Sequence, residues 1–355
     1  MDRNPKKIEL KLKNIGYIKE ANIDISGLTV IAGKNDEGKS TVGKALMAII
    51  KANNKALSKT NIRKSLEQRG KIYFNEMIDY IFDLEISSNG KVAISVNGAE
   101  KYVVCIKYNK CVSFNTVLPK NVKDKEFVDC TFIQTPLIWD LEEIFNAIDV
   151  LRGDDSLLFD IRYPYILRDL YSKLTLQQRQ VRSNRFITNT ISNKIETVIR
   201  NLIGGEFVKK HHNKVHRFYP TNKNNYSDIS LKDIAIGIKV FGIIQVLMRQ
   251  KCFTPQGYFV FDEPENHLHP TWQLALAEIL VILAKNGIRI MINTHSPYML
   301  EALDKYSKKH NAYTKFYLAD KGIVQQINGS NAGTLEEIFK KLNEPFKIFD
   351  EMENK

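Results

Sequence analysis

The sequence predicts an α/β protein with a central sheet, because three short apolar segments each end in a polar motif and precede a helical pattern. These segments are residues 28–32, 258–261 and 288–293. Apolar runs of this length are typical of strands that are buried on both faces. Since the carboxyl ends of parallel strands meet at one edge of a sheet, we expect the three motifs to lie together.

The remaining elements fit the same class. The opening residues alternate in polarity as paired strands do, and the pattern becomes helical from Ser40. Residues 71–130 hold short β-rich pieces with turn signals, which predict an antiparallel sheet. Residues 140–205 lose this character and contain helical segments, one of which stops at a pair of glycines. The segments KFYLAD and GIVQQI predict a closing hairpin.

Length and composition are those of a soluble globular protein with one large domain or two smaller ones. The chain has 355 residues, of which 43% are hydrophobic and 26% are charged. No segment approaches the roughly 18 apolar residues that a membrane span needs, and the first ten residues lack the apolar core of a secretory signal. The four cysteines have no metal-ligand spacing, so we expect free thiols and a cytoplasmic location.

The net charge of +12 is unevenly distributed. Residues 171–217 contain ten Lys or Arg against two Glu, and Lys51, Lys55, Lys59 and Arg63 recur at every fourth position. Such residues often form a solvated surface, but a basic stripe also suits contact with nucleic acid or an acidic partner. The sequence leaves both interpretations open.

A glycine-rich motif follows the first buried strand and opens the first helix. It fits GxxxxGK[ST], in which backbone N–H groups of the loop and of the helix N-terminus surround phosphates. Lys39 is expected to reach the β- and γ-phosphates, and the Ser40 hydroxyl to bind Mg²⁺. The predicted nucleotide-binding residues are Gly33, Lys34, Asn35, Asp36, Glu37, Gly38, Lys39, Ser40 and Thr41.

Two further motifs carry groups that act on phosphates. Asp262 and Glu263 end a buried strand, where a carboxylate is costly unless it meets a cation. We expect Asp262 to hold Mg²⁺ and Glu263 to orient the attacking water as general base; a pair of N-capping acids is the alternative. His295 follows the third strand. Alone it would usually be structural, but beside the other two motifs it is predicted to sense the γ-phosphate.

Together these motifs resemble those of a known superfamily. The segments GKNDEGKST, FDEPENHLHP and NTHSP resemble the Walker A motif, the Walker B motif with its D-loop, and the switch histidine of ABC ATPases. The second segment is similar to the SMC/RecF/OLD branch rather than to transporters. The resemblance implies one composite ABC-type ATPase head over 1–355. Its parts are a RecA-like mixed sheet (1–70 and 245–340), an antiparallel β-lobe (71–135) and an inserted helical lobe (136–244).

The same resemblance places two contacts outside these motifs. Gln134 occupies the Q-loop position, where it would contribute to nucleotide and Mg²⁺ binding. The signature residues, which touch the nucleotide of a second subunit, are Ala235, Ile236, Gly237 and Lys239. Ile236 stands where a serine is expected and cannot donate a hydrogen bond to phosphate. We therefore expect backbone N–H groups and Lys239 to make this contact, and hydrolysis to be slow or partner-dependent.

The resemblance implies a homodimer that clamps ATP and Mg²⁺ between its subunits. Compact members of this branch resemble ATPases of anti-phage and toxin–antitoxin operons, and no DxD-type nuclease site follows His295. We therefore expect a nuclease or toxin to act in trans as the effector. A RecF-like ATPase that binds duplex DNA and a slow or non-hydrolysing scaffold are the alternatives, and no membrane partner is expected. His267 and His269 lack a third ligand nearby, which disfavours a metal pair.

Overall fold

The computed structural model divides the chain into two compact units. The described residues are 6–58, 65–82, 88–117, 126–152, 164–175, 189–210, 215–221 and 228–344. The first unit comprises Met1–Phe132, Gln256–Glu265 and Gln273–Lys355, and the second comprises Ile133–Pro255 and Asn266–Trp272. No helix in the described part of the chain has the length and apolar character needed to cross a bilayer.

The described chain combines runs of strands and helices, and strands alternate with helices from residue 236 to residue 320, which confirms the predicted α/β class. The strands are β1 (Ile8–Ile15), β2 (Ile18–Asp24), β3 (Leu28–Ala32), β4 (Asn89–Val96), β5 (Ala99–Lys107), β6 (Lys110–Thr116), β7 (Asp129–Ile133), β8 (Gly205–Val208), β9 (Arg217–Pro220), β10 (Ile229–Ser230), β11 (Gly257–Asp262), β12 (Arg289–Thr294), β13 (Thr314–Asp320) and β14 (Ile323–Gln325). The helices are α1 (Lys39–Ser58), α2 (Leu66–Ile81), α3 (Glu142–Arg152), α4 (Tyr165–Thr175), α5 (Asn189–Ile203), α6 (Ile236–Arg249), α7 (Pro270–Lys285), α8 (Pro297–His310) and α9 (Asn331–Leu342).

A mixed sheet of eleven described strands organises the first unit, in the order β6-β5-β4-β1-β2-β14-β13-β3-β12-β11-β7. The strands from β6 to β2 are antiparallel. Beyond them, β3 pairs in parallel with β13 and β12, and β12 pairs in parallel with β11. Every residue of β3 and β11 is buried, as their apolar sequences predict. The predicted mixed sheet with an antiparallel section is therefore confirmed.

Helix α2 lies where the sequence pattern suggested the start of the β-rich region. The expectation of β-structure from residue 71 is wrong as far as Ile81. The helix starts at a capping box, in which the Ser65 hydroxyl accepts the N–H of Gln68 and the Gln68 side chain accepts the N–H of Ser65. Its buried apolar residues are spaced by three and four positions, which is the spacing of one helix face. They are Phe74, Met77, Ile78 and Ile81.

The second unit combines helices with a small antiparallel sheet of β8, β9 and β10. Helix α6 is buried over most of its length, and one end of its buried Gln245 amide is matched: Oε1 accepts the N–H of Phe207 at 2.8 Å, while Nε2 has no hydrogen-bond partner among the described residues. A second buried polar pair joins His216 and Glu142, whose Nδ1 and Oε1 atoms lie 2.8 Å apart. Buried polar groups that are satisfied in this way fix how the elements of the unit pack.

The basic residues of α1 do not form the free stripe that their spacing suggested. Lys51 Nζ lies 2.5 Å from Asp129 Oδ1, and Lys55 Nζ lies 2.5 Å from Glu76 Oε2. Lys59 and Arg63 lie outside the described residues.

Some basic residues of the segment 171–217 that the structure describes are also paired with acids. Residues 176–188 and 211–214 of this segment are outside the described chain. Lys173 pairs with Asp169 at 2.7 Å, and Arg217 pairs with Asp228 at 2.7 Å. Acidic partners thus offset several of the charges that suggested a polyanion surface.

The contact between α2 and β6 leads to a prediction about Gly70. Replacing a helical glycine with alanine usually stabilises a helix by about 1 kcal/mol. A Cβ at Gly70, however, would lie 2.1 Å from Cδ1 of the Phe114 ring. We expect Gly70→Ala to lower the free energy of unfolding by about 1–3 kcal/mol, as overpacking does. Urea denaturation measures this, with Asp79→Ala on the exposed side of α2 as the control, expected within about 0.5 kcal/mol of wild type. A Gly70→Ala protein as stable as wild type would contradict the packing.

Candidate functional site

The predicted phosphate-binding loop joins β3 to α1 and contains two left-handed backbone positions. Asp36 has φ 63° and Gly38 has φ 82°. Aspartate tolerates the left-handed region better than most residues, so Asp36 is compatible with this turn. Gly33 is needed for space, because a Cβ there would lie 2.3 Å from the carbonyl oxygen of Ala319. The loop is therefore seated against the end of β13.

The other loop side chains do not gather around Lys39. Lys34 pairs with Glu344 at 2.5 Å, and the Glu37 carboxylate accepts the backbone N–H of Lys321. The remaining predicted residues are the exposed Asn35 and the half-buried Thr41. These residues would therefore bind phosphate through their backbone N–H groups rather than their side chains, as expected for such a loop.

Lys39 is the buried cation of the site. Its Nζ donates to the carbonyl oxygens of Gly33 at 3.0 Å and Lys34 at 2.7 Å, and lies 3.9 Å from Glu263 Oε1. Burial lowers the pKa of the Lys39 ammonium, while the charge of Glu263 acts in the opposite direction. The ammonium thus lies on the inner side of the loop, between its carbonyls and the acidic end of β11.

Asp262 is the buried anion. Its Oδ1 accepts hydrogen bonds from Ser40 Oγ at 2.9 Å and from Asn293 Nδ2 at 2.7 Å. Burial raises the pKa of the Asp262 carboxyl, and these two hydrogen bonds oppose the rise. A buried carboxylate beside a hydroxyl provides the hard oxygen ligands that Mg²⁺ prefers, and a cation would offset the cost of burying the charge. Ser40 and Asp262 therefore fit a magnesium ion.

Glu263 brings the groups of the site together. Its φ of 50° is left-handed, and its N–H donates to the Asn293 carbonyl at 2.9 Å. The Oε1 atom that lies near Lys39 is also 3.3 Å from His295 Nδ1. This second contact is a close approach rather than a hydrogen bond, since Nδ1 has no hydrogen-bond partner in the described residues. The structure thus places Lys39 and His295 near the same carboxylate oxygen of Glu263.

Glu265 is a buried acid of this site that the sequence analysis did not single out. It is 4% exposed, and its Oε1 accepts the Thr294 hydroxyl and, at 3.2 Å, the N–H of His295. The signal that could have found it is the acid at the third position after Asp262, followed by Asn266 rather than by a helix. An acid in the turn after a buried strand either faces solvent or accepts hydrogen bonds from the end of the neighbouring strand, and only the structure distinguishes the two.

The remaining predicted residues belong to the second unit. Gln134 is exposed and directly follows β7. Helix α6 begins at Ile236, and its N-cap is Ala235, which makes no side-chain capping bond. No group of three or more His, Cys, Asp or Glu among the described residues could hold a metal ion. His269 Nδ1 instead accepts the N–H of Thr271 at 3.3 Å, in the first turn of α7.

Lys239 does not have the position that its predicted role requires. It is 3% exposed, and its Nζ donates to Asp140 Oδ1 at 2.6 Å. Its carbonyl accepts the indole N–H of Trp139 at 2.9 Å. The expectation that Lys239 adds charge at the phosphate of a second subunit is corrected accordingly: the ammonium is already used in a buried ion pair within its own unit.

Comparison with known families gives two matches. A family model described as AAA domain matches residues 9–234, which is more than half of the chain. A model described as "AAA domain, putative AbiEii toxin, Type IV TA system" matches residues 241–301. No curated protein matches the sequence significantly.

Solved structures resemble the chain at low identity. The SMC head domain from Thermotoga maritima is 16% identical with a TM-score of 0.45, over 91% of this chain and 98% of that one. The Smc head domain from Pyrococcus furiosus, bound to the C-terminal domain of ScpA, is 16% identical with a TM-score of 0.47, over 96% and 99%. CbiO1 of an ABC transporter complex from Clostridium perfringens is 15% identical with a TM-score of 0.40, over 98% and 100%.

The match over residues 9–234 contains the phosphate-binding loop, and the match over residues 241–301 contains the acidic end of β11 and the histidine after β12. The structure brings side chains of these three segments together. The chain therefore belongs to the AAA-domain family.

Proposed function

We propose that the protein is an ATP-binding and ATP-hydrolysing switch that works as a homodimer and controls a separately encoded effector. The observation that carries the enzymatic part is the convergence on Glu263. Its Oε1 lies 3.9 Å from Lys39 Nζ and 3.3 Å from His295 Nδ1, one residue after the buried Asp262. A cation, a carboxylate and an imidazole beside a phosphate-binding loop are the groups that phosphoryl transfer to water uses.

Each group has a definite part in this proposal. The N–H groups of residues 34–40 and the Lys39 ammonium hold the β- and γ-phosphates. Glu263 accepts the proton of the attacking water, and His295 stabilises the charge that develops on the γ-phosphate oxygens. Ser40 and Asp262 would hold Mg²⁺, which supplies a Lewis acid at the phosphate oxygens when bound. The product is ADP, and the γ-phosphate leaves as inorganic phosphate.

The start of α6 supports the dimeric part. In a helix, the N–H groups of the first turn have no partner within the helix and attract anions. Here the N-cap, Ala235, is exposed, and no side chain occupies the helix N-terminus by capping it. We propose that this end meets the γ-phosphate held by the second subunit. Since neither Ala235 nor Ile236 can donate a side-chain hydrogen bond, hydrolysis is slow.

The effector is proposed to be a nuclease or toxin of an anti-phage system. The family model over 241–301 carries the description of a toxin of a type IV toxin–antitoxin system, and that description supports this setting. Duplex DNA as the partner, the RecF-like alternative, is less favoured because acids pair with Lys51 and Lys55 on α1. Strongly salt-dependent binding of DNA by the isolated protein would favour that alternative.

Glu263→Gln tests the catalytic proposal. The amide keeps the shape of the side chain but cannot accept a proton, so we expect phosphate release to slow by about 10²–10⁴-fold. ATP affinity should be retained, and the ATP-bound dimer should live longer. Single-turnover phosphate release and light scattering after size exclusion in ATP-Mg²⁺ measure both. Glu336→Gln, the same change at an exposed position of α9, serves as the control. Unchanged hydrolysis and dimer lifetime would instead favour a non-hydrolysing scaffold.

A serine at the start of α6 tests the explanation for slow turnover. A charge-assisted hydrogen bond contributes about 1.5–3 kcal/mol, which corresponds to a rate change of about ten- to a hundred-fold. We expect Ile236→Ser to raise turnover by this factor, because it restores a hydroxyl at the position where the resemblance places a serine, in the first turn of α6. Ala235→Ser, which places the same hydroxyl at the N-cap, is the matched comparison and should gain less, because an N-cap serine bonds to the N–H groups of its own helix. The explanation fails if neither variant is faster than wild type while both bind ATP.

The effector proposal is tested by co-purification with the product of the neighbouring gene. We expect the association with the effector to depend on the bound nucleotide. The closed ATP-bound dimer would offer the effector a different surface from that of the free subunit. Glu263→Gln in ATP-Mg²⁺ should stay in the closed dimer, and Lys39→Ala, which lacks the phosphate-binding cation, should stay as the free subunit. Equal association with both variants, measured by quantitative pull-down, would contradict a switch.

A further inference from the structure

Glu265 is a buried carboxylate to which the proposed reaction gives no part. Its side chain is 3% exposed. One oxygen, Oε1, accepts the Thr294 hydroxyl and the N–H of His295, and lies 3.9 Å from His295 Nδ1. The other oxygen, Oε2, is buried without a hydrogen-bond partner among the described residues. The acid is therefore held by one oxygen, and both of its hydrogen bonds come from the end of β12.

Keeping a carboxylate in this place is costly. A buried charge without full hydrogen bonding is among the least favourable features of a protein interior. Burial raises the pKa of Glu265, and the hydrogen bonds from Thr294 and His295 oppose the rise only in part. A neutral amide at this position could accept the same two hydrogen bonds at lower cost. Costly groups of this kind concentrate at functional sites, which points to a use for the carboxylate.

The hydrogen bonds of Glu265 lie on His295 and on Thr294, the residue before it. Thr294 and the backbone of His295 are tied to Oε1, so the backbone is fixed on the amino side of the histidine. On the carboxyl side, the Ser296 hydroxyl donates to Gln273 Oε1 at 2.7 Å, and the Ser296 N–H donates to the Thr294 hydroxyl at 3.1 Å. The main chain around His295 is thus anchored in both directions.

The imidazole ring is oriented by carboxylates as well. Nδ1 lies 3.3 Å from Glu263 Oε1 and 3.9 Å from Glu265 Oε1. Nδ1 makes no hydrogen bond to either group, but both carboxylates lie beside this edge of the ring. Nε2 is then the ring atom left to meet a phosphate oxygen.

We propose that Glu265 is a positioning residue that orients His295 toward the γ-phosphate. This inference rests on the proposed ATP hydrolysis, in which His295 acts on that phosphate. Among the described residues Glu265 makes no hydrogen bond or ion pair with Lys39 or Ser40, and its charge acts on Lys39 less than the charges of Glu263 and Asp262 do, so its main effect should pass through the histidine. It should therefore appear in the rate of the chemical step and not in the affinity for ATP.

A double-mutant cycle tests this pathway. We expect Glu265→Ala to lower the single-turnover rate by about tenfold or more, with the dissociation constant of ATP within about twofold of wild type. Glu265→Gln, which keeps an oxygen for Thr294 and His295, should recover part of the loss. In a His295→Ala background, Glu265→Ala should change the rate by less than about twofold, because coupled residues are not additive. Equal losses in both backgrounds, or a loss of ATP affinity that accounts for the rate, would overturn the proposal.

Crystal structures of the Glu265 variants test the proposal when hydrolysis is too slow for the rates to be compared. In a crystal structure of Glu265→Ala we expect the His295 ring to leave its place beside Glu263, and in Glu265→Gln to keep it. A ring that stays within about 3.5 Å of the Glu263 carboxylate in both variants would refute the positioning role. If the wild-type protein hydrolyses no ATP, the proposed function fails, whereas this measurement still decides what Glu265 does to His295. Thermal unfolding of each variant shows whether the protein folds.

Discussion

The register between adjacent parallel strands decides where the charges of this site meet. Asp262 is the pairing partner of Asn293, and Asn293 is the partner of Ile31, two residues before Gly33. Because successive side chains of a strand point to opposite faces, a slip of one residue would turn Asp262 away from Asn293 and Ser40. The apolar sequences of β3 and β11 prevent such a slip, since all their residues are buried and the register sets how they pack. The core of the sheet thereby fixes the geometry of the groups proposed to act in catalysis.

Burial makes these groups depend on one another. Lys39 and Asp262 are 4% and 5% exposed, so neither charge is compensated by water. Lys39 relies on the loop carbonyls and on Glu263, and Asp262 relies on Ser40 and Asn293. A nucleotide with its magnesium ion would offer both charges a stronger partner, which is a physical reason for the site to close around it. The opposite shifts, a lowered pKa for Lys39 and a raised one for Asp262, have the same cause.

The parts that sequence predicted well are those that one local rule decides. Apolar runs predicted β3, β11 and β12, and the loop pattern gave Lys39 and Ser40 their places at the start of α1. Helix α2 was missed because its apolar face is interrupted by polar residues and its start depends on the reciprocal bonds of Ser65 and Gln68.

Lys239 and Glu265 could not be placed for a different reason. A lysine at the start of a helix and an acid in a turn are usually exposed, and here both are buried by partners distant in sequence. Asp140 lies 99 residues from Lys239, and Thr294 lies 29 residues from Glu265. Tertiary contacts of this kind carry no local signal, whereas the motifs that bind phosphate do, because their chemistry needs consecutive residues.

Three violations of ordinary folding preferences lie at this edge of the sheet, although others occur elsewhere in the described chain. Glu263 has a left-handed φ although it is not glycine and precedes Pro264, which restricts the backbone further. Asp36 is left-handed in the loop, and Glu265 is a carboxylate with a buried, unpartnered oxygen. Strained conformations of this kind cost about 1–3 kcal/mol each and persist where surrounding structure enforces them. At Glu263 the enforcing contact is its N–H bond to Asn293, which extends the pairing of β11 and β12 by one residue and aims the carboxylate at Lys39 and His295. The strand pairing that buries the core thus also holds Glu263 in its strained conformation.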